Sequence, residues 1–207
     1  SRVSLEAVLD GATPVLRVSG QARAAHQTLN VVRDYALETG RHALHVYTRV
    51  TNPGPARVER LSWGMRIEWG SATPFAPGMG VVAEDADGAA RWVGGAVNGL
   101  AAAWTPADRG RELSLRFVAE MHGSSANAGH TEALTRPVTI TPEQTLIDHA
   151  VLLVAPGDLT DIARAVSYVR EERVAEAALA LLGDARDPSV TITDTEGRTV
   201  LIAQPRG

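Results

Sequence analysis

A row of polar side chains in one predicted strand is the part of this sequence best suited to bind a ligand. Apolar residues there alternate with His45, Tyr47 and Arg49. Alternate residues of a strand share one face, about 7 Å apart, so these groups can hydrogen-bond hydroxyls or a carboxylate together. Arg66 and Glu68 would join them if their strand paired with the first. An ordinary solvent-exposed face would show the same pattern, with an Arg–Glu pair contributing at most about 1 kcal/mol.

Tryptophans form a second group of candidate ligand-binding residues. All 4 tryptophans of the chain lie in one segment, at Trp63, Trp69, Trp92 and Trp104. Exposed indole rings stack on sugar rings, so Trp63, Trp92 and Trp104 are predicted to bind a carbohydrate. The alternative is structural. Trp69 alternates with apolar neighbours and is expected in the core, and each of the others could anchor a loop by burying about 200 Å².

The histidines do not indicate a catalytic or metal site. His42 and His45 are three residues apart and therefore lie on opposite faces of a strand. The spacing of His122 and His130 is not diagnostic of a metal site. His149 lies in an apolar strand and is expected to be a hydrogen-bonded core histidine. The sequence thus predicts no catalytic residue, no metal and no cofactor.

Composition excludes several classes of function. The chain has 207 residues, a net charge of -4 and no cysteine. No cluster of basic residues indicates nucleic-acid binding, and no apolar run approaches the roughly 20 residues of a membrane span. The absence of cysteine excludes disulfides and thiolate metal sites. The chain begins without methionine and ends just after a strand-like run, which indicates a trimmed or processed piece of a longer protein.

The residue pattern predicts a mainly β protein. Apolar and polar residues alternate over the first 155 residues, with turn signals rich in Gly, Pro, Asn and Asp between the runs. Residues 146–154 are apolar on both faces, which is typical of a covered central strand. A helix is expected at 158–182 and a hairpin within 190–203. We predict a β-sandwich domain at 1–185 and a short β extension at 186–207, which could be the start of a truncated further domain.

Several turn and loop motifs resemble a known bacterial domain. They are Thr51-Asn-Pro-Gly54, Trp63-Gly64, Arg66-x-Glu-Trp69-Gly70, Pro74-Phe-Ala-Pro-Gly78-x-Gly80 and Val154-Ala-Pro-Gly-Asp158. Over residues 1–185 the chain resembles the galactose-mutarotase-like β-sandwich that precedes the metal-dependent hydrolase domain of PHP-superfamily proteins of the carbaryl-hydrolase-like group. The resemblance implies a large antiparallel supersandwich with one long C-terminal helix. The hydrolase's metal ligands would lie in another domain.

Three functions follow from this resemblance and from the residues. The first is a non-catalytic accessory module of a larger, extracytoplasmic bacterial protein, which would position an adjoining hydrolase domain of the same polypeptide or bind a carbohydrate or other polar small molecule. The second is an epimerase-like or lyase-like enzyme acting on a sugar. It requires His45 or His122 within about 3–6 Å of a carboxylate in a concave pocket. The third is a structural spacer or dimerisation domain. The first, without enzymatic activity, is the expectation.

Overall fold

The structure is a computed structural model, and it describes residues 3–10, 13–38, 40–82, 84–122, 125–173, 190–193, 195 and 199–203. Within these ranges, no helix has both the length and the apolar character that crossing a membrane requires.

Antiparallel strands make up most of the described chain. Their bounds are β1 Ser4–Asp10, β2 Thr13–Ala24, β3 Gln27–Glu38, β4 Ala43–Thr51, β5 Val58–Leu61, β6 Gly64–Glu68, β7 Thr73–Ala76, β8 Gly80–Val81, β9 Ala86–Ala90, β10 Val93–Val97, β11 Leu100–Pro106, β12 Leu113–His122, β13 Ser125–Thr135, β14 Val138–Ile140, β15 Thr145–Pro156, β16 Val190–Thr193 and β17 Thr199–Ala203. A helix, α1, spans Leu159–Val169. The predicted class is confirmed: the protein is mainly β, with large antiparallel sheets, a helix and a terminal hairpin.

Two sheets build the sandwich. The larger has nine strands in the order β1-β2-β3-β4-β15-β11-β10-β7-β8, and the smaller has four in the order β6-β13-β12-β9. Strands β5 and β14 form a small sheet of two strands, as do β16 and β17. We call the side of the large sheet that packs on the four-stranded sheet its inner face, and the opposite side its outer face.

The alternation in β4 shows how the sequence selects these faces. Val46 and Val50 are buried, whereas Tyr47 and Arg49 are exposed, as the period of two predicts. Val46 belongs to the core between the sheets, together with side chains from both of them: Trp69, Trp104, Leu113, Leu115, Phe117, Ala133 and Ala150. The odd-numbered residues of β4 therefore lie on the outer face.

Glycines make room for two of the buried indoles. A Cβ atom on Gly95 would lie 2.9 Å from ring carbons of Trp69, and one on Gly94 would lie 2.9 Å from a ring carbon of Trp92. Such distances are far below ordinary van der Waals contact. At Gly94 and Gly95, strand β10 therefore has no side chain, and the indole rings occupy that space.

Helix α1 covers part of the outer face. Asp158 caps it, because its carboxylate accepts hydrogen bonds from the backbone N–H groups of Thr160 and Asp161 at 2.8 and 3.3 Å. The carboxylate of Asp161 in turn accepts a hydrogen bond from the backbone N–H of Asp158 at 3.0 Å, which completes a capping box. The buried side chains of the helix pack on the ends of β4, β11 and β15, and they are Leu159, Ile162 and Val166.

The helix ends earlier than the expected 158–182. Its last residue is Val169, and Glu171 has a positive φ of 51°, which is left-handed backbone. The chain turns here because the side chain of Arg170 points inward and is buried. The rest of the expected helix, from residue 174 onward, lies outside the described residues. The proposed domain boundary at residue 185 stays a prediction.

Candidate functional site

Three neighbouring strands bring polar side chains together on the outer face. Cross-strand pairing sets Tyr47 of β4 directly between Asp34 of β3 and His149 of β15. His45 lies on the same face of β4, two residues earlier. Glu38 stands at the end of β3, close to the start of β4, so a short connection brings it near His45. These groups lie on the part of the outer face that α1 leaves uncovered.

Two imidazoles and a carboxylate form a hydrogen-bonded chain on this face. Nε2 of His45 lies 3.1 Å from Oε2 of Glu38, and Nδ1 of His45 lies 3.0 Å from Nε2 of His149. We call Glu38, His45 and His149 the imidazole relay. An ionised carboxylate only accepts, so Nε2 of His45 donates to Glu38. When His45 is neutral, its Nδ1 accepts from Nε2–H of His149, which leaves Nδ1 of His149 with a lone pair.

The surroundings hold the relay in place. The ring of Tyr47 stacks on that of His149 with centroids 4.2 Å apart and planes 17° from parallel. Arg41 also binds Glu38, with Nη1 3.0 Å from Oε1, which keeps that carboxylate facing the histidine. The side chains of Glu38 and His45 remain 31% and 21% exposed, so the relay is reachable from solvent.

Burial lowers the pKa of His149, and the neighbouring imidazole of His45 lowers it further, while Asp148 acts in the opposite direction. The ring is consequently neutral around pH 7, because its ordinary pKa is already about 6.5. A neutral imidazole with an available lone pair is a Brønsted base. The relay therefore has the state that general-base chemistry needs.

A shallow recess of about 370 Å³ lies beside His149. Its other lining residues are Ala107, Asp108, Arg111, Ile147 and Asp148. The side chain of Ile147 is 63% exposed and gives the recess an apolar surface. A small polar molecule placed here would contact His149, a carboxylate, a guanidinium and an aliphatic surface.

Arg49 shares the face of His45 and Tyr47 but belongs to a different cluster. Its Nη2 lies 2.9 Å from Oδ2 of Asp34, and Arg17 binds the same carboxylate through two bonds of 2.6 and 2.8 Å. The hydrogen bond from Arg17 lowers the pKa of Asp34 more than burial raises it, and Arg49 adds to the lowering. Arg49 thus has a structural partner beside the relay.

Arg66 and Glu68 do not join the polar row, which corrects the suggested pairing of their strand with β4. Strand β6 belongs to the four-stranded sheet, where it pairs with β13. Nε of Arg66 lies 2.6 Å from Oε1 of Glu68, and both side chains are more than half exposed. They form an ordinary surface ion pair. Their suggested role in ligand binding has no geometric support here and stays a prediction.

Of the predicted tryptophans, Trp63 alone is more than marginally exposed. Trp92 and Trp104 are buried, with 6% and 4% of their surface exposed, so the structural alternative describes them. Trp69 is buried as expected, and its indole N–H donates to Oγ1 of Thr131 at 2.7 Å. Trp63 is half-buried and lines a cavity between the two sheets.

That cavity, the inter-sheet cleft, has a volume of about 310 Å³. The indole N–H of Trp63 donates to Oδ2 of Asp148 at 3.3 Å, and Nη1 of Arg111 lies 2.6 Å from Oδ1 of the same carboxylate. Arg136 and Glu112 form a second ion pair at its rim. Asp148 is next to His149 in β15, so its side chain points to the opposite face, toward this cleft.

Sequence reasoning missed Glu38 and the partnership of His149. Glu38 and His45 are seven residues apart, and only the pairing of β3 with β4 brings them together. His149 is hydrogen-bonded, as predicted, yet it is half-buried on the outer face rather than enclosed in the core. Among the described residues, no group of three His, Cys, Asp or Glu side chains is arranged to hold a metal ion.

Comparisons with known proteins identify the fold. No family model matches the chain, and no curated protein matches it. A solved structure described as a "putative aldose 1-epimerase" from Escherichia coli K12 is 9% identical, with a TM-score of 0.51 over 73% of this chain and 68% of that one. A galactose mutarotase-like protein from Clostridium acetobutylicum is 9% identical, with a TM-score of 0.50 over 75% and 67%. The chain therefore has a mutarotase-like β fold.

The GH36 α-galactosidase AgaA from Geobacillus stearothermophilus is similar in another way. It is 10% identical with a TM-score of 0.51, and the match covers 79% of this chain but only 27% of the galactosidase. The chain spans about two thirds of the mutarotase-like structures and about a quarter of this larger enzyme. The same fold thus occurs both as most of a protein and as one part of a long one.

These findings correct one expectation. The prediction that the chain is not an enzyme is wrong as an inference from its fold, because the structures that share the fold include one described as a "putative aldose 1-epimerase". An association with a PHP-superfamily hydrolase has no support among these neighbours.

Proposed function

We propose that this protein catalyses proton transfer on a sugar with a free anomeric hydroxyl group, using the imidazole relay as the base. One observation carries the proposal: the continuous chain of hydrogen bonds from Glu38 through His45 to His149, with donor–acceptor distances of 3.1 and 3.0 Å. The enzyme hypothesis requires His45 within about 3–6 Å of a carboxylate. The distance of 3.1 Å between His45 and Glu38 satisfies this requirement. His149 supplies the concave surface, since it lines the recess.

The relay can accept a proton without creating an isolated buried charge. When Nδ1 of His149 takes a proton from the anomeric hydroxyl, its Nε2 proton passes to Nδ1 of His45. The positive charge then resides on His45, whose Nε2–H donates to the carboxylate of Glu38. An imidazolium paired with a carboxylate is far more stable than one alone in a partly buried site.

The chemistry needs no cofactor. As the hydroxyl loses its proton, the C1–O5 bond breaks, its electron pair goes to the ring oxygen, and C1 becomes an aldehyde. The ring oxygen takes a proton from solvent, which the open recess admits. Rotation about C1–C2 and the reverse steps give the other anomer and return both protons. Sugar and protein are thus regenerated in their original protonation states.

Polarimetry of freshly dissolved α-D-galactose and α-D-glucose tests this proposal. The protein should accelerate the change in optical rotation in proportion to its concentration. His149→Gln should reduce the acceleration by about 10²- to 10⁴-fold, the usual range for a general base. Glu38→Gln should reduce it less, since it removes only the stabilising partner. Arg66→Gln, in an exposed ion pair on the other sheet, is the matched control. Acceleration by the wild-type protein no greater than that by buffer would reject the proposal, as would full activity of His149→Gln.

We also propose that the chain works beside another domain of a longer polypeptide. The supporting observation is the match to about a quarter of an α-galactosidase, in which this fold is one part of a larger chain. The flanking sequence of the parent gene tests this directly, and a gene that encodes no further domain would reject it. The suggested PHP hydrolase partner, the extracytoplasmic location and the spacer or dimerisation role stay predictions.

A further inference from the structure

The inter-sheet cleft exists because one strand of the large sheet stops early. Strand β11 ends at Pro106, whereas its neighbour β15 extends on to Thr145 at that end. The last backbone bond between them runs from N–H of Ala107 to the carbonyl oxygen of His149, at 2.9 Å. Residues 107–112 then cross to the four-stranded sheet. This crossing leaves the end of the sandwich open beside Asp148.

We propose that this cleft is a second ligand site, which binds one neutral pyranose ring independently of the imidazole relay. A pyranose presents C–H groups on its faces and hydroxyl groups around its edge. The cleft has the matching division. Trp63 and Leu146 supply a partly exposed apolar wall, while two ion pairs supply hydrogen-bonding groups at the side and rim.

The charges of the cleft select a neutral ligand. Arg111 is bound by Asp148 at 2.6 Å and by Asp108 at 3.5 Å, and Arg136 is bound by Glu112. Every cation at the cleft is therefore already matched by a carboxylate. An anionic sugar would have to displace one of these carboxylates. Hydroxyl groups, in contrast, can donate to the remaining lone pairs of the carboxylates without breaking the pairs.

The volume limits the ligand to a small one. At about 310 Å³, the cleft lies at the lower end of the range of about 300–1,000 Å³ that small-molecule sites occupy. A single sugar ring fits this space, and further rings of a longer saccharide would extend into solvent.

A buried arginine holds one wall of the cleft in position before any ligand binds. The guanidinium of Arg170 donates to the carbonyl oxygens of Pro106 at 3.0 Å, Arg109 at 2.7 Å and Arg111 at 3.3 Å. These bonds fix the crossing segment that carries Arg111. Binding then does not have to order this segment, which lowers its entropic cost. Arg170 is thus a positioning residue for the cleft.

The cleft and the relay lie on opposite sides of β15. Asp148 and His149 are consecutive in this strand, so their side chains point to opposite faces. The cleft adjoins the recess of the relay, since Arg111, Ile147 and Asp148 line both, but His149 lines only the recess. Replacing His149, which lines only the recess, or Trp63 and Glu112, which line only the cleft, therefore tests the two proposals separately.

Methyl glycosides separate the two proposals experimentally. In methyl α- and β-D-glucopyranosides and galactopyranosides, the anomeric oxygen carries a methyl group and has no proton for the relay to remove. We expect isothermal titration calorimetry or saturation-transfer NMR to detect binding of at least one of them. The corresponding methyl glucuronide, which adds a carboxylate, should bind more weakly.

Rim variants assign the binding to the cleft. Glu112→Ala should weaken binding by about tenfold or more, since hydroxyl bonds to a charged acceptor are lost. Trp63→Leu should abolish it, and thermal unfolding checks that this variant is folded. Glu68→Ala, which breaks an exposed ion pair elsewhere on the four-stranded sheet, is the control. His149→Gln should leave binding unchanged.

Three outcomes would overturn the proposal. One is that none of the four glycosides binds at millimolar concentration. Another is that binding survives in Glu112→Ala and in folded Trp63→Leu but is lost in His149→Gln, which would place the sugar on the outer face. The third is that the glucuronide binds as well as the neutral glycosides, which would reject the neutral class of ligand.

Discussion

Replacing Arg170 with methionine should be among the most damaging single substitutions in this protein. The side chain is fully buried, and its three nitrogens are all engaged. Besides the carbonyl oxygens of Pro106, Arg109 and Arg111, they bind the carbonyl oxygen of Arg91 at 3.2 Å and Oγ1 of Thr105 at 3.3 Å. Glu172 balances the charge, with Oε1 2.8 Å from Nε. The guanidinium thus joins the end of α1 to the end of β11.

The size of the effect follows from the groups left behind. Methionine fills much of the volume but donates no hydrogen bond, so several carbonyl oxygens lose a partner. Each buried acceptor left unsatisfied costs about 1–3 kcal/mol, and water will reach some of them. We expect the free energy of unfolding to fall by about 3–5 kcal/mol. For a chain of this size, that corresponds to a drop in melting temperature of about 6–20 °C.

Urea unfolding monitored by circular dichroism measures this change. Arg164→Met is the control, because Arg164 is an exposed arginine on the same helix. That variant should lose less than about 1 kcal/mol. Arg170→Lys should recover only part of the loss, since an ammonium group cannot reproduce the planar fork. If Arg170→Met unfolds within about 1 kcal/mol of the wild type, the guanidinium does not hold the crossing segment.

Three further predictions concern stability. Folding lowers the pKa of His149, so the unfolded chain takes up a proton at a higher pH than the folded protein does. The free energy of unfolding should therefore fall as the pH drops below about 6.5, and His149→Gln should reduce this fall in urea unfolding curves measured over a series of pH values. The pKa of Asp34 is also lowered, so its ion pairs with Arg17 and Arg49 stabilise the fold above about pH 4. This stabilisation should disappear at lower pH, and Asp34→Asn should lack it at neutral pH. Ile162→Ala should cost about 2–5 kcal/mol in the same assay, because Ile162 is fully buried between α1 and the large sheet.

The strands and the start of the helix were predictable because residue patterns within each short segment determine them. The period of two along β4 correctly separated buried Val46 and Val50 from exposed Tyr47 and Arg49. The expected start of the helix at residue 158 agrees with α1, which Asp158 caps. The end of the helix was not predictable in the same way. Its cause is a contact between Arg170 and carbonyl oxygens some 60 residues earlier in the chain, which no local pattern expresses.

The candidate site depended on information of a different kind. The sequence indicated His45 and Tyr47, but their partners come from other strands, and only the order of those strands brings them together. Glu38 becomes adjacent through the pairing of β3 with β4, and His149 through the pairing of β15 with β4. Arg66 and Glu68 illustrate the converse. They have a suitable pattern, but their strand belongs to the other sheet.

The register of β15 connects the fold to both proposed sites. Its side chains alternate between faces, so a slip of one residue would move His149 into the sandwich and Asp148 onto the outer face. Packing prevents that slip. Val151 and Leu153 are buried beneath α1, while Ala150 is buried in the core between the two sheets. The apolar half of the strand thus fixes the register on which the polar half depends. Because α1 covers only the outer side of the strand, it helps to keep the side chain of His149 on the outer face and that of Asp148 on the inner face.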